Sequence, residues 1–212
     1  MPAVGATATS RVLTSKGRQT RQAIEQAARK LFAERGFHGT TLADITSAAG
    51  KSPAVFYRYF ADKEDLLAVL AESFLHDVLG PARLSVQLPE SPDDSDLFVS
   101  VVTGYWNIFK QNIGIMVAVA QLGATQQRFA GLQNEFRRFG MDIVTTSLLR
   151  AQEHGYARDL ITEHTAVAIA LLFEQFTVVF LRPDAAGPGI RISDEDAIAT
   201  LSTIWRKTLY GR

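Results

Sequence analysis

Tyr57 and Arg58 stand together in a stretch whose apolar neighbours Phe56, Tyr59 and Phe60 recur at helical spacing. If those three turn inward, Ala54, Tyr57 and Arg58 share the wet face. A helix this short has no structural use for a phenol and a guanidinium there. Both groups reach phosphates and base edges, so the chemistry they offer is recognition of DNA. Lys16, Arg18 and Arg21 open the first helical pattern of the chain. Basic entries of this kind either follow phosphates and enter a minor groove or simply solubilise a tail.

Other chemistry is poorly served. His38, His76, His154 and His164 form neither a zinc pattern nor the Glu-x-x-His pairs of a di-iron bundle. Glu72 and His76 share a helix face, but two ligands are too few. No glycine-rich phosphate loop and no nucleophile elbow occurs. Asp93 and Asp94 lie in a proline-rich linker and read as solvated. The chain is therefore expected to be no enzyme and to use no cofactor or metal.

Charge is distributed unevenly. The net charge of the 212 residues is zero, yet residues 11–63 carry ten Lys and Arg against four Asp and Glu. That module is +6 and the remainder −6, the footprint of a basic nucleic-acid module on an acidic body; chance scatter is the alternative. The absence of cysteine fits a reducing compartment, and the Ala/Thr/Ser-rich start lacks an apolar signal core, so a cytoplasmic protein is expected. The longest apolar run, 166–181, is interrupted by Glu174, Gln175 and Thr177. A membrane helix needs ~20 apolar residues, so no membrane partner is expected.

The elements that must hold Tyr57 and Arg58 in place can be read from caps and stripes. Ile24, Ala27, Ala28, Leu31 and Phe32 make one helical face that stops at Gly36, with Phe37 under the turn. Thr41 and Asp44 form a capping-box pair ahead of Leu42, Ile45 and Ala49, and Gly50 suits a left-handed helix end. Ser52 can cap the next helix, with Pro53 in its first position. A fourth helix from about Asp62 carries Leu66, Leu67, Leu70, Phe74 and Val78 toward the body. Lys63 sits in its first turn, where the helix dipole opposes a cation.

Prolines 81, 89 and 92 mark residues 79–96 as a linker or long loop. Beyond it lie a helix bearing Phe98, Val102, Tyr105, Trp106 and Phe109, a separate short buried helix at 113–120, and a long helix from 124 to about 154. A helix capped by Thr162 continues to Leu181, Pro183, Gly187 and Pro188 break the chain, and Ser193 with Asp194 to Asp196 opens the last helix. The aromatics Trp106, Phe109, Phe136, Phe139, Phe173, Phe176 and Trp205 can line a ligand cavity or fill the core. Glu174 and Gln175 read as the solvent edge of their helix. The apolar excess on 166–181 needs a second chain to cover it, so a homodimer through 162–181 and 194–210 is expected.

The pattern Thr41-x-x-x-Ile45, Ala49-Gly50-x-Ser52, Phe56-Tyr57-x-Tyr59-Phe60-x-x-Lys63-Glu64-x-Leu66-Leu67 resembles the helix-turn-helix of TetR-type repressors over about residues 20–70. It departs at Lys51, usually apolar there, and at Tyr59, often histidine. Residues 97–211 resemble EthR-type members through Thr103-Gly104, Phe109 and Ile204-Trp205-x-x-x-Leu209-Tyr210-Gly211. The resemblance implies an all-α protein of about nine helices: a tail at 1–14, a DNA-binding domain at 15–78 and a ligand-binding, dimerising domain at 97–212. It implies double-stranded operator DNA as partner, with Lys16, Arg18, Thr41, Lys51, Ser52, Pro53, Ala54, Val55, Tyr57, Arg58, Tyr59 and Lys63 as contacts, Lys63 on a phosphate. It also implies repression, and an elongated pocket for an apolar or amphipathic effector. An all-α enzyme using that pocket, or an architectural DNA-binding protein without a ligand, are the alternatives.

Overall fold

A computed structural model of the protein describes residues 14–182 and 189–211, without the side chains of Arg83 and Leu84. The expected tail, apart from Thr14, and the break at Pro183, Gly187 and Pro188 lie outside the described residues. Their regular structure is all helical, with no strand among them.

Helix α1 (Ser15–Arg35) is capped by Thr14 and buries Ile24, Ala28, Leu31 and Phe32. Gly36 ends it at φ +71°, a conformation open to glycine and strained for other residues. Thr40, fully buried, bonds back to the carbonyls of Leu31 and Gly36 and shapes the turn. Helix α2 (Leu42–Ala48) starts with the reciprocal box: Asp44 N–H donates to Thr41 Oγ1 at 3.1 Å, and Thr41 N–H to Asp44 Oδ2 at 2.8 Å. The Thr41 hydroxyl and then its N–H, both donating to Asp44 Oδ2, hold the Asp44 carboxyl below its ordinary range. Helix α3 (Pro53–Phe56) is a single turn. Ser52 occupies its N-cap but makes no side-chain cap bond, so the expected hydroxyl cap is not formed; its carbonyl accepts from Val55 and Phe56 instead. What holds α3 is its buried pair, Phe56 and Phe60, with ring centroids 5.5 Å apart.

Helix α4 (Lys63–Ser73), capped by Asp62, buries Leu66, Leu67, Ala68, Leu70 and Ala71. It passes without a break into a π-helical segment, Phe74–Leu79, and then α5 (Gly80–Ser85). The expected loop is therefore shorter than 79–96: Pro81 sits in the first turn of α5, inside this helical run. The remaining bend is stapled by Asp94, which accepts from Glu90 N–H at 2.8 Å and Ser91 N–H at 2.9 Å.

Helix α6 (Ser95–Gly123) runs for 29 residues, joining what the sequence divides near Ile113. Helix α7 (Gln127–Glu153) packs against it and ends before Gly155, at φ +92°. The turn into α8 (Thr162–Leu181) is organised by Gln152, whose amide donates to Ala157 and Leu160 carbonyls. Thr162 is the first residue of α8, not its cap, and its hydroxyl donates to Gln152 Oε1 at 3.1 Å. By length and composition α8 is apolar enough to cross a membrane. It buries Ala166, Ile169, Ala170 and Thr177 in the body and leaves Val167, Leu171 and Leu172 exposed. Helix α9 (Asp194–Tyr210) is capped by Ser193 and buries Leu201, Trp205 and Leu209.

The core does not stop at the covalent boundary of the DNA module. One cluster joins Ile24, Phe32, Phe56, Phe60 and Leu66 to Phe109, Met116, Phe129 and Phe136 of the body; a second fills the space among α6, α7, α8 and α9. The two halves meet where α1 lies on α6: a Cβ at Gly114 would sit 2.5 Å from Phe32 C and Ala33 N. Gly114→Ala is expected to push α1 off α6 and to cost roughly 1–3 kcal/mol of stability, as overpacking does. Urea unfolding of the two proteins measures this, and equal midpoints would contradict so close an approach.

Candidate DNA interface and body cavity

The outward face of α3 and its flanks is assembled by burial of the other face. With Phe56 fully buried, Tyr57 is left 61% exposed, and Ser52, Pro53, Ala54 and Arg58 are exposed beside it. Lys51, Val55 and Tyr59 are half-buried. Tyr57 stands edge-on to Phe56 at 5.7 Å, which limits where the phenol can point. Lys16 and Arg18 are exposed on the first turn of α1. Arg21, the third residue of that basic entry, is engaged within the fold: it bonds Glu25 at 2.8 Å and lies 5.6 Å from the Phe60 ring. Thr41 is exposed, but its N–H and hydroxyl both go to Asp44.

Lys63 has a structural task that the sequence does not announce. Its ammonium donates to Phe37 O and Thr40 O, each at 2.7 Å, and sits 4.2 Å above the Phe37 ring. Partial burial lowers its pKa, with Glu64 acting in the other direction. These contacts explain a cation at the unfavourable end of α4: it ties α4 to the turn before α2. Two of its three N–H groups are thereby used.

The body holds a small cavity of about 60 Å³ among α6, α7, α8 and α9. Phe109, Phe136, Phe139, Phe173 and Trp205 line it, with Tyr105, Met116 and Val144. A larger one of about 360 Å³ opens toward α5 and shares Val101, Tyr105, Phe139 and Ile143 with it. Together they reach the range of small-molecule sites, roughly 300–1,000 Å³. Trp106 and Phe176 do not line the small cavity. Trp106 is buried with its indole N–H on Asp194 Oδ1 at 3.0 Å, and Phe176 stacks on Phe180 at 4.7 Å. Asp194 also binds Lys110, and these bonds hold its carboxyl below the ordinary range.

Glu174 is not a solvent edge. It lines the small cavity and takes Arg137 of α7 in a two-pronged pair at 2.7 and 3.2 Å. Gln175 is exposed. Tyr105 and Thr177, the latter fully buried, bond each other through their hydroxyls at 3.0 Å. Arg137, Tyr105 and Thr177 are the polar groups that sequence reasoning misses. The available signal was Glu174 itself, since a carboxylate in so apolar a helix calls for a cation on a neighbouring element. Among the described residues no group of three or more His, Cys, Asp or Glu could hold a metal ion.

Known proteins resemble the chain in both parts. The family described as bacterial regulatory proteins, tetR family, matches residues 24–70. The HTH-type transcriptional regulator EthR of Mycobacterium tuberculosis is 29% identical over 195 residues, covering 89% of this chain and 86% of that protein. A tetR-family regulatory protein from Rhodococcus RHA1 superposes with a TM-score of 0.66 at 24% identity, covering 93% of this chain and 98% of the other. The regulator FadR from Bacillus subtilis, solved in complex with stearoyl-CoA, superposes with a TM-score of 0.62 at 17% identity over 90% and 98%. Because the likeness starts in the helix-turn-helix and runs on through the body, the chain belongs to the TetR family of DNA-binding transcriptional regulators and resembles EthR.

Proposed function

We propose that the protein is a homodimeric repressor, released from a near-palindromic operator by a mostly apolar effector in the body cavity. The observation that carries the reading is the division of α3 and the turn that follows it: Phe56 and Phe60 buried, Tyr57 and Arg58 presented to solvent. Pro53, Ala54, Val55, Tyr57 and Arg58 enter the major groove and meet base edges, with Lys51, Ser52 and Tyr59 at the margins. Lys16 and Arg18 follow the phosphates. Lys63 keeps one N–H for a phosphate, and Thr41 contributes by fixing the start of α2. A protein with this task works in the compartment that holds the DNA, the cytoplasm.

Release follows from packing. Phe74, at the end of α4, meets the cavity-lining rings of Phe109 and Phe136 edge-on at 6.0 and 5.5 Å. An effector that widens the cavity moves these rings, and with them α4, Lys63 and the turn that seats α2 and α3. Only a difference in effector affinity between the two arrangements can drive this.

Arg58→Ala is expected to weaken binding to a selected duplex by roughly 1–3 kcal/mol and to relax base preference. Lys16→Ala should weaken all duplexes alike and reduce the salt slope by about one unit. Fluorescence anisotropy across salt concentrations separates the two effects, and equal affinity for selected and random DNA at every salt concentration would contradict the reading.

The dimer is formed by α8 and α9 in a four-helix bundle across a two-fold axis. Its motive is the exposed apolar row Val167, Leu171 and Leu172 on a helix that buries only Ala166, Ile169, Ala170 and Thr177 in the body. Leu171→Asp or Val167→Arg is expected to yield folded monomers in light scattering at micromolar concentration. A wild-type protein that is itself monomeric there would contradict the assignment.

A further inference from the structure

The small cavity has three polar features in its apolar wall, and they differ in how well they are satisfied. Glu174 is neutralised by Arg137, and Gln133 donates to the same carboxylate at 3.1 Å. Tyr105 and Thr177 satisfy each other at 3.0 Å, and burial pushes the Tyr105 phenol up, so it stays protonated. Trp205 differs from both. It lines the cavity, is 2% exposed, and its indole N–H meets no acceptor. The other tryptophan, Trp106, gives its N–H to Asp194. Buried donors without a partner are rare in native proteins, and each calls for an explanation.

Resting on the reading of this cavity as the effector site, we propose that the occupant is an uncharged, mostly apolar molecule carrying an acceptor oxygen for the Trp205 indole N–H. An ester, ketone, lactone or amide carbonyl has the right chemistry. A free carboxylate does not. It would enter beside Glu174, while Arg137, the cation in the wall, already answers that charge. The carboxylate would lose its hydration without gaining a counter-charge. A CoA thioester has an acceptor carbonyl but brings several phosphates to a site that has no uncommitted lining cation among the described residues. The cavity alone, at about 60 Å³, holds only the head of such a molecule. Its chain runs past Tyr105 and Phe139 into the larger space toward α5.

The test uses the full chain and four probes of equal chain length, 2-octanone, octane, octanoate and octanoyl-CoA, titrated by calorimetry at neutral pH, where octanoate is ionised. 2-Octanone is expected to bind about tenfold more tightly than octane, which is about 1.4 kcal/mol. Octanoate and octanoyl-CoA are expected to bind more weakly than 2-octanone by about tenfold or more. Trp205→Phe should keep octane binding and erase the preference for the ketone. Glu174→Gln, which leaves Arg137 without its counter-charge, should strengthen octanoate binding by about tenfold. A ketone preference that survives Trp205→Phe overturns the proposal, as does wild-type octanoate binding as tight as that of 2-octanone. Should Trp205→Phe fail to fold, the wild-type ranking and the Glu174→Gln response decide. Octane binding with no advantage for the ketone removes this inference and leaves the effector site standing. If none of the four probes binds, the effector-site reading falls and takes the inference with it.

Discussion

Residue 114 has to be glycine because α1 lies directly on α6 there, its backbone where a side chain would begin. Much of the structure depends on this seat. Helix α3 is one turn long and cannot hold itself; isolated helices are marginal below ~12–15 residues. It is held by Phe56 and Phe60, which belong to the core that α1 and α4 share with α6 and α7. Beside the seat, Arg29 reaches Asn112 across the α1–α6 boundary at 3.3 Å, and its burial lowers the guanidinium pKa. The exposed face around α3 is thus positioned by the body as much as by its own short helices.

The same packing gives the cavity a mechanical route outward. Phe109 and Phe136 line the cavity and touch Phe74, where α4 changes from α to π winding. At its other end α4 is fixed by Lys63 to the carbonyls of Phe37 and Thr40, just before α2. Along its side, Arg128 of α7 faces Asp65 and Glu72, and Gln126 bonds Glu64. Helix α4 therefore touches the cavity wall, the body surface and the turn before α2. The π segment that follows it, Phe74–Leu79, is a winding frequently found at functional sites.

The sequence is legible where structure is local. Thr41 with Asp44, Ser193 with Asp196, and the glycines at 36 and 50 announce helix ends through caps and positive φ. So does the buried face of α3, set by spacing alone. Legibility fails where the deciding partner is distant in sequence. The apolar run 113–120 reads as a separate short helix, whereas it continues α6, and its Gly114 serves the approach of α1. The structural task of Lys63 is not legible because its partners, two backbone carbonyls before α2, carry no side-chain signal. Helical spacing cannot say which of neighbouring aromatics meets a cavity, so Trp106 and Phe176 look equivalent to Phe109 and Phe173. Glu174 passes for a wet edge until Arg137 is placed opposite it. The π segment leaves no mark in composition, because its hydrogen-bond shift needs no special residue.

The central claim is that the DNA module and the body share one cooperative core seated on α1 and α6. Native-state hydrogen exchange reads this directly, since it assigns an opening free energy to each amide. The account predicts that the amides of Ala28, Leu31 and Phe32 in α1 open with the same free energy as those of Ile115 to Val119 in α6, through one shared unfolding. Opening of α1 to α4 at a clearly lower free energy, with α6 still protected, would show two independent units and contradict it.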